Sequence, residues 1–200
     1  MVVAPRPDTP DPASYLVGLR LACLLGGVLH VPVRHVVAHH AVARYTRGMK
    51  TLLNAKDKEK TLARLQRVRP TSQRLWGKMS AHQMVCHLSD GFKMYMGLKP
   101  VSPANLPYPR SLLKWIALWA PIPWPKGFNT APELDQQLSG TPPVEFEKDM
   151  NELQSLVDRF AQQPRSFQWQ AHPQFGKMSE KEWMRLGYLH MDHHLRQFGA

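Results

Sequence analysis

From residue 49 onward, apolar side chains return at the interval of a helical face, and no alternating strand pattern of useful length interrupts them. Leu52, Leu53, Leu62, Leu65 and Val68 mark a first helical stretch through charged sequence that stops at Pro70. Ser80-Ala81-His82-Gln83 fits a capping box, with Ser80 as N-cap and Gln83 at N3, and predicts a helix to about Gly97. Residues 111–120 form a short apolar helix with Trp115 and Trp119, which residues 121–125 close because the proline ring blocks helical continuation. Thr141-Pro142 reads as N-cap and N1 of a helix over 144–162, with Phe146, Met150, Leu153, Leu156, Val157 and Phe160 at helical spacing. After a turn at 172–176, Ser179 and Glu182 form a second capping box, opening a last helix to about Phe198. The expected fold is all-α: a four-helix bundle with a short extra Trp-rich helix, and a proline-rich loop over 100–109.

The first 48 residues break the pattern. They hold no lysine and no glutamate, carry Pro5, Pro7, Pro10 and Pro12, and include His30, His35, His39 and His40. Their apolar run, 16–33, is interrupted by Arg20, three glycines, His30 and Pro32. It is a poor membrane span, since about 20 clean residues are needed. A signal peptide is the alternative reading, with 21–31 as its apolar stretch and Ala41-Val42-Ala43 as a weak cleavage pattern. The composition shift favours an N-terminal extension, disordered or a misassigned start with translation beginning at Met49, ahead of a helical domain over 49–200.

Charge and cysteine content narrow the classes. The formal net charge is +11, but the basic residues are dispersed and no run of five or more like charges occurs. No specific nucleic acid is therefore expected as a partner. Cys23 and Cys86 are too few for a disulfide scaffold and read as free thiols in a reducing compartment, hence a cytoplasmic protein. Cys86 points about 100° away from His87 on a helix and reads as a buried structural thiol.

The candidate chemistry lies on two helix faces. His190 and His194 are four apart, so on a helix they project about 40° from each other with Cβ atoms roughly 6 Å apart. Two imidazoles at that spacing can chelate one divalent ion. They share a stripe with Trp183, Leu186 and Gln197, while His87 shares its face with Gln83, Met84, Asp90, Gly91 and Met94. Both histidine faces are also the apolar faces, so the three rings should point inward, where bundles build metal sites. The competing reading makes each a core histidine bonded to a backbone carbonyl. His193 could replace one ligand or support one from outside. His82 lies about 140° from His87 and reads as a surface residue. Asp90 could be a general base, a fourth ligand, or an acceptor for a histidine N–H. Gln197 could orient a ligand or satisfy the helix end; Tyr95 and Arg196 are weaker candidates.

Trp76-Gly77-Lys78-Met79, Gln83-Met84 with Cys86-His87-Leu88, Pro125-Lys126-Gly127, His172-Pro173 with Phe175-Gly176, Glu182-Trp183 and the run from His190 to Phe198 resemble an uncharacterised bacterial branch of the DinB/YfiT-like superfamily. The resemblance covers 49–200, and its C-terminal run is the specific part. It implies a four-helix bundle holding one divalent ion (Zn, Ni, Fe or Mn) through His87, His190 and His194. Relatives of this kind include thiol transferases and isomerases that use a low-molecular-weight thiol. The implied function is a metal-dependent thiol S-transferase or hydrolase acting on a small-molecule substrate. The alternative is a non-catalytic metal- or ligand-binding stress-response module. No stable membrane insertion is expected, and a homodimer is an open alternative.

Overall fold

The computed structural model describes residues 49–127 and 130–200. The expectations for residues 1–48, including the extension and its apolar run, lie outside the described residues.

Each helix begins where a side chain or the local backbone can satisfy its free N–H groups. In α1, Ala55–Leu65, Asn54 is the N-cap and its side chain accepts from the N–H of Lys56 and Asp57. The predicted first helix therefore starts later than the leucine spacing suggested. Leu52 and Val68 flank α1 and are buried, and the Leu52 N–H donates to the Met184 carbonyl at 3.2 Å. In α2, Ala81–Tyr95, the Ser80–Gln83 capping box forms reciprocally. The Trp-rich helix, α3, spans Arg110–Trp119. It turns Leu118 inward and leaves Leu112 and Trp115 exposed. Trp124 folds back beneath it, donating its indole N–H to the Ala117 carbonyl at 2.7 Å.

The next helix corrects the predicted start. α4 spans Phe146–Ala161 with Glu145 at its N-cap, and Thr141 is not its cap. Thr141 instead donates its hydroxyl and its backbone N–H to the Asp90 carboxylate at 2.6 and 2.8 Å. A buried carboxylate needs those donors more than a solvent-facing helix start does. In α5, Glu180–Gln197, the Ser179–Glu182 capping box forms as expected. A 3-10 turn over Pro132–Leu134 lies against α2. Among the described residues the protein is all-helical, with five α-helices and no strand; His172 and Gly176 make an isolated bridge at the predicted turn.

The helices pack α2 chiefly on α4, with α5 against α1, α2 and α3. Phe92, Leu153, Phe160, Trp183, Met184 and Met191 are fully buried between them. Burying an aliphatic or phenylalanine side chain of this size stabilises by about 1.5–3 kcal/mol. The same seam carries the histidines. Among the described residues, no helix is long and apolar enough to cross a membrane.

Candidate metal centre

His87 on α2 and His190 and His194 on α5 meet in the core, with only 5, 9 and 7 % of their surfaces exposed. Their candidate ligand nitrogens all lie within 4.8 Å of one another. The Nε2 atoms of His87 and His190 are 3.0 Å apart. Two nitrogens about 2.0–2.1 Å from one tetrahedral ion would stand about 3.3 Å apart, so small adjustments suffice.

The outward nitrogens determine what the inward ones can do. Nδ1 of His87 lies 2.7 Å from the Leu134 carbonyl, an acceptor without a proton. That nitrogen must carry the N–H, leaving Nε2 with its lone pair toward the centre. Gln197 applies the same logic to His194. Its amide nitrogen donates to the Trp76 carbonyl at 2.8 Å, which turns Oε1 toward His194 Nδ1 at 2.9 Å. His194 therefore donates from Nδ1 and also presents a bare Nε2. His190 Nδ1 faces the Tyr95 hydroxyl at 2.9 Å, a group that can donate or accept. When Tyr95 accepts, the third Nε2 is bare as well. Outward hydrogen bonds of this type fix the tautomer and orientation of metal-binding histidines.

Burial enforces the neutral form that metal binding requires. It pushes His190 and His194 well below the ordinary histidine pKa, and the neighbouring histidine rings add to the effect. Burial also lowers His87, against a partial rise from the Leu134 carbonyl and Asp90.

Two glycines create the space. A Cβ on Gly91 would stand 3.0 Å from Cε1 of His190. Gly77 has φ +79°, and a Cβ there would come within 2.6 Å of the Gln197 amide nitrogen. The buried trio, the oriented lone pairs and this clearance together fit a divalent ion.

The other predicted residues take different places. His193 is half-buried outside the trio, its ring centroid 6.0 Å from Trp76 and 5.9 Å from Trp124. Asp90 is not part of the cluster and accepts from no histidine. Its oxygens are engaged by Thr141, by the Gln136 amide at 2.9 Å and by Lys99 at 2.8 Å, with its side chain fully buried. The roles considered for it as fourth ligand or histidine acceptor give way to a buried ion pair. Gln197 and Tyr95 are the side chains hydrogen-bonded to His194 and His190. The Leu134 and Trp76 carbonyls escaped sequence reasoning, because a backbone acceptor in a distant loop leaves no mark on composition. Trp76-Gly77 was visible as a motif, but without a role.

Trp124 lies beside the centre. Its ring centroid is 6.2 Å from that of His190, and it also lines a cavity of about 180 Å³ with Leu118, Ile122, Leu189, Arg185 and Arg196. Arg196 is half-exposed there and pairs with Asp192 at 3.1 Å.

A family model described as "Protein of unknown function (DUF1569)" matches residues 47–200. No curated protein and no solved structure matches the chain.

Proposed function

The chain belongs to the DUF1569 family, and we propose that it works as a divalent-metal protein of the DinB/YfiT-like type. In this reading α1, α2, α4 and α5 are the four helices of a bundle, α3 is an addition to it, and His87, His190 and His194 hold one ion. The observation that carries it is the convergence of three buried imidazoles whose outward nitrogens are each tied to an oxygen. Three protein ligands leave a position open, as catalytic sites do and closed structural sites do not.

The reaction class proposed is thiol S-transfer or hydrolysis. A bound divalent ion supplies the Lewis acidity that brings the pKa of a coordinated water or thiol toward neutrality. The protein's own residues supply the rest. The Leu134 carbonyl and Gln197 keep His87 and His194 in the tautomer with Nε2 free. Tyr95 holds the His190 proton at Nδ1 when it accepts. Trp124 shapes the approach beside His190, and Arg196 offers a cation at the cavity rim for an anionic end of a low-molecular-weight thiol.

The near-complete burial of the trio favours a second reading, a non-catalytic metal-binding module. Metal analysis of freshly purified protein, then chelator competition and screening with thiols and electrophiles, separates the two. The proposal expects one ion at the trio and affinity cut sharply by alanine at His87, His190 or His194. His193→Ala should cost less than loss of any of the three, about 10–100-fold where His193 supports a ligand from outside. If His193→Ala abolishes binding while His194→Ala spares it, the ligand set is wrong. Turnover unchanged after complete metal removal would refute the enzymatic reading.

A further inference from the structure

His82 does not face solvent alone. It sits one turn before Cys86 on α2, and both reach Asp149 on α4. His82 Nε2 lies 2.7 Å from Asp149 Oδ2, and Cys86 Sγ lies 3.6 Å from the same oxygen. The three candidate ligand atoms fall within 4.8 Å of one another. This corrects the surface reading of His82, whose side chain is about four-fifths buried (21 % exposed). The Phe146 ring packs edge-on against it at 5.3 Å.

We propose that His82, Cys86 and Asp149 form a second divalent-metal site, suited to a thiophilic ion such as Zn2+, on the seam between α2 and α4. An imidazole and a thiol four apart on one helix repeat the chelating geometry of an HxxxH pair, and Asp149 closes the triangle from the facing helix. Around an ion with Zn–S of about 2.3 Å and Zn–O of about 2.0–2.2 Å, sulfur and oxygen stand about 3.5 Å apart. The observed 3.6 Å already satisfies this. The His82–Asp149 contact must open by about half an ångström, as the direct hydrogen bond is replaced by two bonds to the metal.

The surroundings favour a cation. Cys86 is buried, and the charges of Asp149, Asp90 and Glu152 all act on its thiol. Asp90 is paired with Lys99 and Glu152 with Lys93, so Asp149 is the carboxylate turned to the thiol. Burial acts to raise Asp149, yet hydrogen bonds from the Val144 N–H, His82 and Cys86 hold it below its ordinary value. A divalent ion would replace the Cys86 proton, which leaves to solvent, with no change of oxidation state; metal coordination deprotonates a thiol outright. The ligand set of one thiolate, one imidazole and one carboxylate differs from the all-imidazole trio and favours softer ions. His82 and Asp149 are partly accessible, which gives an ion a route in.

Titration of the full chain with Co2+ in a Cys23→Ser background tests this, because sulfur ligation produces a near-ultraviolet charge-transfer band that an all-histidine site cannot. The expected result is a band that Cys86→Ser abolishes and that His190→Ala/His194→Ala retains. His82→Gln should weaken the band-forming site by tenfold or more. His82→Gln reads the site even if Cys86→Ser does not fold. No band at saturation, a band surviving in folded Cys86→Ser, or unaltered affinity in His82→Gln would overturn the proposal. A chain that binds one Co2+ with the band and shows no trio site would instead refute the proposed function and leave this inference standing.

Discussion

The Tyr95 hydroxyl lies 2.9 Å from Nδ1 of His190, inside the core where neither group can turn to water. Of the three oxygens that anchor the trio, it alone can reverse its hydrogen bond. Burial pushes the Tyr95 phenol above its ordinary value, so it acts as a neutral hydroxyl.

Tyr95→Phe should therefore weaken metal binding by about 10–100-fold, the usual effect of losing an outer-shell partner. Chelator competition on the folded variant measures it. Unchanged affinity would show that the hydroxyl does not orient His190.

Gly91→Ala separates packing at the centre from helix stability. Alanine within a helix gains roughly 0.5–1 kcal/mol over glycine. Here its Cβ meets His190 at 3.0 Å and must displace that ring by a few tenths of an ångström. The expected outcome is reduced metal affinity with little or no loss of metal-free melting temperature. Equal losses in both would point to general disruption of the α2–α5 seam.

Asp90→Asn should act on stability. The carboxylate is fully buried and pairs with Lys99, and breaking a buried pair by removing one partner costs about 3–5 kcal/mol. Urea denaturation should show a loss of this order, while metal bound per folded molecule stays near one at the trio. A normal midpoint with lost turnover would keep Asp90 as a candidate base.

Acid should destabilise the metal-free protein steeply. His87, His172, His190 and His194 all have folded pKa values lowered from the ordinary 6.5, His172 to about 3, and burial is the leading cause in each. Below 6.5 the unfolded chain binds protons that the folded chain refuses, so unfolding free energy falls as pH falls. Each such histidine costs about 1.4 kcal/mol per pH unit until its folded pKa is reached. Stability should be flat above about pH 7 and decline from 6.5 downward. His172→Gln should make that decline shallower, measured as melting temperature against pH; an unaltered slope would remove His172 from the account.

The periodicity of apolar positions was enough to expose the helices and the meeting of His87 with the His190/His194 pair, because inward faces follow from spacing alone. The two capping boxes were legible for the same local reason: each is complete within four residues. Asn54 was obscured by Leu52 and Leu53 before it, which lie outside the helix, Leu52 buried and Leu53 exposed. Thr141 carried the local signature of an N-cap, yet a carboxylate 51 residues away claimed its donors. His82 was misread because its partner, Asp149, is 67 residues distant. Helical spacing reports which side of its own helix a residue occupies; it does not report what the facing helix offers.

The Gln197 amide joins His194 to the Trp76 backbone, so residues 66–80 are held partly by the centre itself. Those residues lie between α1 and α2, where few apolar side chains anchor them, and the Trp76 ring has His193 at 6.0 Å and the Lys126 ammonium over it at 4.7 Å. Any movement of His194 is thereby passed to a backbone carbonyl beneath an indole whose emission responds to nearby charge. The protein carries its own optical reporter, and the ordering of a surface loop becomes a readout of events in its interior.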